Sequence, residues 1–98
     1  MAPARLKRNP SQRTSKARSG KHPVRACVLI RVRHGRHFQV AHQVATIPGV
    51  KSAFAVVGAA DVVARIEALD MRALVSVGTR IGDLEDVSTT ETFVAAEV

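Results

Sequence analysis

Few side chains in this 98-residue chain could do chemistry, and their types and spacing decide which chemistry is open to them. Asp61 closes a short break, Gly58-Ala59-Ala60-Asp61, between two apolar runs. A carboxylate there can bond nearby backbone N–H groups, and Gly58 can take the positive φ that a tight turn requires. Four histidines, His22, His34, His37 and His42, raise the question of a metal. His37 and His42 are five positions apart, about 140° around a helix, so they do not share a face. No Cys or acid stands close by to complete a ligand set, and no metal site is expected. Cys27 is the sole cysteine, mid-strand with no histidine placed by sequence to activate it, and reads as a small buried hydrophobe. There is no Gly-x-Ser-x-Gly, no phosphate loop and no pair of metal-binding cysteines. No catalytic residue and no cofactor is expected, and the chain is not read as an enzyme.

The elements that must position these residues follow from hydrophobic period. Val50 to Glu67 forms two β-branched runs about Gly58–Asp61, the pattern of a β-hairpin. Val62, Ala64 and Ile66 alternate onto one face, while Asp61, Val63, Arg65 and Glu67 share the other, a mixture unusual for a face that meets water alone. Before it, Val24, Ala26, Val28, Ile30 and Val32 alternate with Arg25, Cys27, Leu29, Arg31 and Arg33 as a first strand, whose second face would suit a subunit contact. After His34-Gly35-Arg36, a helix is expected from Arg36 to Ile47, with Val40, Val44 and Ile47 at i, i+4, i+7 and Ala41 and Ala45 beside them, stopped by Pro48-Gly49. Asp70 is placed to cap a second helix carrying Leu74, Val77 and Ile81. Gly78 inside it costs about 1 kcal/mol relative to Ala and points to a close packing contact. Val87 to Val94 supplies the last strand. The order β-α-β-β-α-β predicts an α+β, ferredoxin-like fold: an antiparallel four-stranded sheet with two helices on one face.

The net charge of +7 is unevenly placed. Residues 1–22 carry Arg5, Lys7, Arg8, Arg13, Lys16, Arg18 and Lys21 and no acid, whereas the remainder holds eight basic and eight acidic residues and sums to zero. A polar, Arg/Lys/Ser/Pro-rich segment of this kind predicts a disordered tail (1–22) preceding one domain (23–98). The tail reads as a solvated extension or as an arm making salt-sensitive, sequence-independent phosphate contacts. A transit peptide would need an amphipathic face, and Leu6 is the segment's only large aliphatic residue apart from Met1. A domain this small buries roughly 60–65% of its unfolded surface, which favours association with further copies. With three aromatic residues, Phe38, Phe54 and Phe93, base stacking has little to work with. One cysteine and no long apolar run point to a cytoplasmic protein without a membrane segment.

These elements in this order resemble a stand-alone effector-binding (RAM) domain of the Lrp/AsnC transcription regulators, over roughly residues 24–97. The resemblance is carried by Val28-Leu29-Ile30, Ile47-Pro48-Gly49-Val50, Gly58-Ala59-Ala60-Asp61, Asp70-Met71 with Leu74 and Ile81, and Val87-Ser88-Thr89-Thr90-Glu91-Thr92. It implies dimers paired through their sheets, rings of dimers, and small effectors, often amino acids, bound between dimers. Position by position, it implies an effector site at Val57, Gly58 and Asp61 with Thr89, Thr90 and Thr92 nearby. A Gly loop leaves N–H groups free for a carboxylate, Asp61 can pair with an ammonium, and threonine hydroxyls serve either. Ala59-Ala60 stand where family members often carry larger or polar residues. Such domains usually follow a helix-turn-helix, for which residues 1–22 are too short and too polar. DNA would then be met loosely through the tail or through hetero-assembly with full-length Lrp/AsnC regulators. A competing expectation on the same strand order is a cofactor-free dimeric α/β-barrel monooxygenase, which needs His37 or His42 inside a cleft between helices and sheet.

Overall fold

The computed structural model describes residues 23–96. The basic segment 1–22, with Arg5, Lys7, Arg8, Arg13, Lys16, Arg18 and Lys21, lies outside the described residues, as do 97–98. The elements are β1 (Val24–Val32), α1 (His37–Ala45), β2 (Val50–Ala55), β3 (Val62–Ala68), α2 (Met71–Gly82) and β4 (Val87–Val94). The sheet runs β2-β3-β1-β4, and every neighbouring pair is antiparallel. This is the expected ferredoxin-like α+β plan.

Period-2 alternation sets the inner layer. Ala26, Val28 and Ile30 of β1 stand opposite Ile66, Ala64 and Val62 of β3, and all six are buried. Val40, Ala41 and Val44 of α1 and Leu74, Val77 and Ile81 of α2 close over them in one cluster with Ile47 and Val87. Aliphatic side chains do all of this packing, because the three phenylalanines lie outside the core.

The helices are bounded by local chemistry. Asp70 caps α2 by accepting a 2.8 Å bond from the Ala73 N–H. Helix α1 is shorter than the apolar spacing suggested: His34 and Gly35 take left-handed φ of 58° and 65° ahead of it, and its N-cap, Arg36, makes no side-chain cap bond. At its other end Thr46 and Ile47 donate to Gln43 O and Val44 O, a tighter turn that ends the helix while still burying Ile47. Ala45, expected beside the buried stripe, faces solvent. Gly49 then has φ of 99°, and a Cβ there would come within 2.9 Å of Val77 Cγ2. Both backbone and packing demand glycine at this position.

Two expectations are overturned. Nothing lies within 4 Å of a Cβ placed on Gly78, so no close contact within the subunit explains it. Cys27 is only partly buried, because its position in β1 turns it away from the helices.

Candidate functional site

The six-residue connection between β2 and β3 is stitched down at several points. Val56 N–H donates to Asp61 O (2.9 Å), and Asp61 N–H donates to Ile30 O (2.9 Å), extending the sheet ladder past the end of β3. Gly58 has φ of 152° with open space around it, so backbone conformation alone calls for glycine there. The side chain of Asp61 reaches across to β1, where Oδ2 accepts the Val32 N–H at 2.9 Å. Oδ1 lies 3.2 Å from His37 Nε2, at the first position of α1. His37 Nδ1 is 3.0 Å from Gly35 O. A carbonyl and a carboxylate only accept, so an imidazolium can donate to both, whereas a neutral ring has one N–H to give.

Arg31 completes the arrangement by donating from Nη1 to Ala59 O at 2.6 Å. The loop is thus held by a carboxylate that it projects and by a guanidinium that grips it. The Val32 N–H holds the Asp61 carboxyl below its ordinary value, against a desolvation penalty, with further help from the His37 ring and Arg31. Asp61 thus bonds to β1 and to the start of α1, and not to the nearby turn N–H groups that its position suggested. Arg31 is the residue that sequence pattern missed: alternation placed it on the outer face of β1, but nothing local tied it to a loop 28 positions away.

The six residues expected to form an effector site do not converge in one cavity of the subunit. Val57 is fully exposed and borders a hollow with His37, Phe38, Ala55 and Val56. Thr90 and Thr92 stand opposite Ile30 and Val28, on the helix side of the sheet, and line an open groove against α2 with Leu74, Val75, Gly78 and Gly82. Thr89 stands opposite Arg31 on the other side. There the structure does bring the hairpin loop and β4 together: Leu29, Arg31, Ala59, Ala60, Thr89, Thr90 and Glu91 enclose a hollow of about 300 Å³. Small side chains at Ala59 and Ala60 leave this space open.

The remaining histidines and the sheet's outer face define what else could act. His37 sits at the rim of the domain and His42 is exposed, while Val40 and Val44 fill the space between α1 and the sheet where an oxygenase would need its cleft. The outer face carries Phe54 opposite Val63, Val63 opposite Leu29, and Cys27 opposite Phe93. Phe54 and Phe93 are 49% and 52% exposed on this face. Among the described residues, no helix is long and apolar enough to cross a membrane.

Comparison with known proteins adds to this geometry. A family profile described as the Lrp/AsnC ligand binding domain matches residues 25–98. Among solved structures, the chain is similar to TTHA0845 of Thermus thermophilus, at 36% identity over 76% of this chain and 95% of that one, with a TM-score of 0.72. It is similar in fold to AsnC of E. coli, at 16% identity over 76% of this chain and 52% of that one, with a TM-score of 0.69. A transcriptional regulator of Neisseria meningitidis in complex with L-Met is likewise similar in fold, at 22% identity over 76% of this chain and 50% of that one, with a TM-score of 0.65. The chain thus spans nearly all of the Thermus protein and about half of each of the other two. No curated protein matches it.

Proposed function

This chain belongs to the Lrp/AsnC ligand-binding domain family, and on that premise we propose that it is an oligomerising regulatory domain that senses an amino-acid-like metabolite and acts on transcription. The observation that carries the proposal is the unequal finish of the sheet. On its helix side β1 and β3 are sealed by aliphatic packing, while its outer side presents Phe54, Phe93, Leu29 and Val63 among charges. A face of this composition suits a second copy of the same chain. Stacking two such faces would cover the aromatic groups and bring two hairpin loops into one assembly.

The proposed effector set remains Val57, Gly58 and Asp61 with Thr89, Thr90 and Thr92. Their dispersal over the subunit fits a site completed by neighbouring copies. Two solved relatives in fold, from N. meningitidis and M. tuberculosis, are complexes with L-methionine, which supports an amino-acid effector here. Binding between copies would favour one assembly over another in proportion to the differential affinity for the two. No catalytic step belongs to this mechanism. Output would pass by co-assembly with full-length Lrp/AsnC regulators, or by loose DNA contact through the cations of residues 1–22, several arms acting through effective concentration. A reducing, cytoplasmic setting suits the single partly exposed thiol.

Sedimentation velocity on the chain with and without residues 1–22, in the presence and absence of each common amino acid, tests this. A dimer or larger species whose distribution shifts with one amino acid is expected. A single-subunit species under every condition would remove the basis of the mechanism.

A further inference from the structure

At the end of the sheet away from the hairpin loop, where β1 begins and β3 and β4 end, the outer face carries a second hollow, of about 560 Å³. Arg25, Lys51 and Arg65 line it with Glu67 as its only acid, an excess of two positive charges, and Cys27 and Phe93 are among its walls. We infer that this hollow binds a phosphomonoester, whose phosphate meets Lys51 and Arg65 and whose organic part lies against Phe93. The site lies apart from the effector residues of the functional reading above and does not depend on that reading.

An irregularity in β2 places the cations. Val50 stands opposite buried Ile66 on the helix side, so strict alternation would return Ser52 to that side. The register instead shifts between Val50 and Ser52, and Ser52 stands opposite Arg65 on the outer side. This bulge sets Lys51 and Ser52 together against one residue of β3, and Lys51 lines the same hollow as Arg65. Ser52 Oγ accepts from Arg65 Nη1 at 3.2 Å, which orients the guanidinium and leaves most of its five N–H donors for a ligand. Among the described residues, the Lys51 ammonium has no ion-pair or hydrogen-bond partner. Arg25 stands opposite Glu67, where the two charges offset one another, so the uncompensated pair is Lys51 and Arg65. Two like charges on one hollow repel, and a bound anion reverses the sign of that interaction. A phosphate monoester carries about −1.5 to −2 charges at pH 7 and three strong acceptor oxygens, which matches an excess of two cations better than a carboxylate does. Phe93, half-exposed on this face, offers an aromatic wall, and the volume falls within the ordinary range of small-molecule sites.

The test is isothermal titration of the full chain with methyl phosphate and phenyl phosphate at fixed ionic strength. Phenyl phosphate should bind roughly 2–10-fold more tightly than methyl phosphate, the scale of one aromatic pair, and Phe93→Ala should bring the two together. Lys51→Gln and Arg65→Gln should each weaken both ligands roughly tenfold, the scale of one charge-assisted hydrogen bond. Both side chains are exposed, so these variants should melt as the wild type does. The cations of residues 1–22 attract any anion, and Lys7→Gln, which removes the same charge from that segment, should leave binding unchanged. An equal loss in Lys7→Gln and Lys51→Gln would overturn the site, because general charge would then hold the phosphate. Undiminished binding in both Lys51→Gln and Arg65→Gln would overturn it as well. Retention of a mixed-sequence DNA duplex through Lys51 and Arg65, with no binding of phenyl phosphate, would overturn it in favour of a nucleic-acid contact.

Discussion

The two faces of the sheet are built from the same strands by the same alternation, yet they end in different states. On the helix side Ala26, Val28 and Ile30 of β1 and Val62, Ala64 and Ile66 of β3 all find aliphatic neighbours, and Val28, Ile30, Val62 and Ala64 are wholly enclosed. On the outer side Leu29 and Val63 stand among Arg25, Arg65, Glu67 and Glu91, flanked by two half-exposed phenylalanines. The first face finishes the subunit. The second leaves its apolar groups half exposed, and the hairpin loop with the hollow lined by Arg31 and Glu91 sits at its margin. On the function proposed above, stability and response would be divided between opposite sides of one sheet.

That division can be broken most sharply at neighbouring positions of β1. Ile30→Ala should cost about 2–5 kcal/mol, the range for emptying an enclosed site, whereas Leu29→Ala should cost clearly less in dilute solution. Urea unfolding of both variants at two protein concentrations gives the comparison. Equal costs at low concentration would mean that the faces are not energetically distinct.

A smaller effect is expected where α2 meets the entry to β2. Gly49→Ala should destabilise by about 1–3 kcal/mol, since it adds both left-handed strain and overpacking against Val77. Gly58→Ala should cost less, its φ being unfavourable but its surroundings open. Thermal melts of the two variants order the constraints. A larger loss at Gly58 would show that the loop, rather than the sealed side, governs folding.

The smallest effect concerns the margin of the outer face and depends on pH. The Asp61 carboxyl titrates lower in the folded chain than its ordinary value, through the Val32 N–H first and the His37 ring and Arg31 after it. A depressed folded value means that its contribution is complete above the ordinary carboxylate range near pH ~4 and is lost as pH falls through the lower folded value. Melting temperature followed from about pH 5 down to about pH 2.5 should therefore fall less steeply for Asp61→Asn than for the wild type. Parallel acid limbs would show that the loop is held without this carboxylate.

Most of the fold was legible because it depends on local period. Alternation in β1 and β3, the i, i+4, i+7 spacing of Val40, Val44 and Ile47, and the cap at Asp70 each involve residues a few positions apart, and each stands as expected. Local patterns failed where a partner or its absence decided the outcome. Gly78 suggested a close neighbour that the subunit does not supply, and Cys27 suggested burial that the outer face withholds. The threonines were legible as members of the last strand but not as residues divided between two sides. Only the register against β1 places Thr89 on one face and Thr90 and Thr92 on the other.

By itself, the order of residues determined the element sequence, the apolar layer and the turn glycines, since hydrophobic period and backbone conformation act within a few residues. Tertiary structure alone decided that Asp61 meets Val32 and His37, that Arg31 is pulled to Ala59, and that Glu91 is left facing the same hollow. Those contacts join segments 24 or more positions apart or follow from strand register, and a chain pattern carries no record of which distant atoms packing will bring within bonding distance.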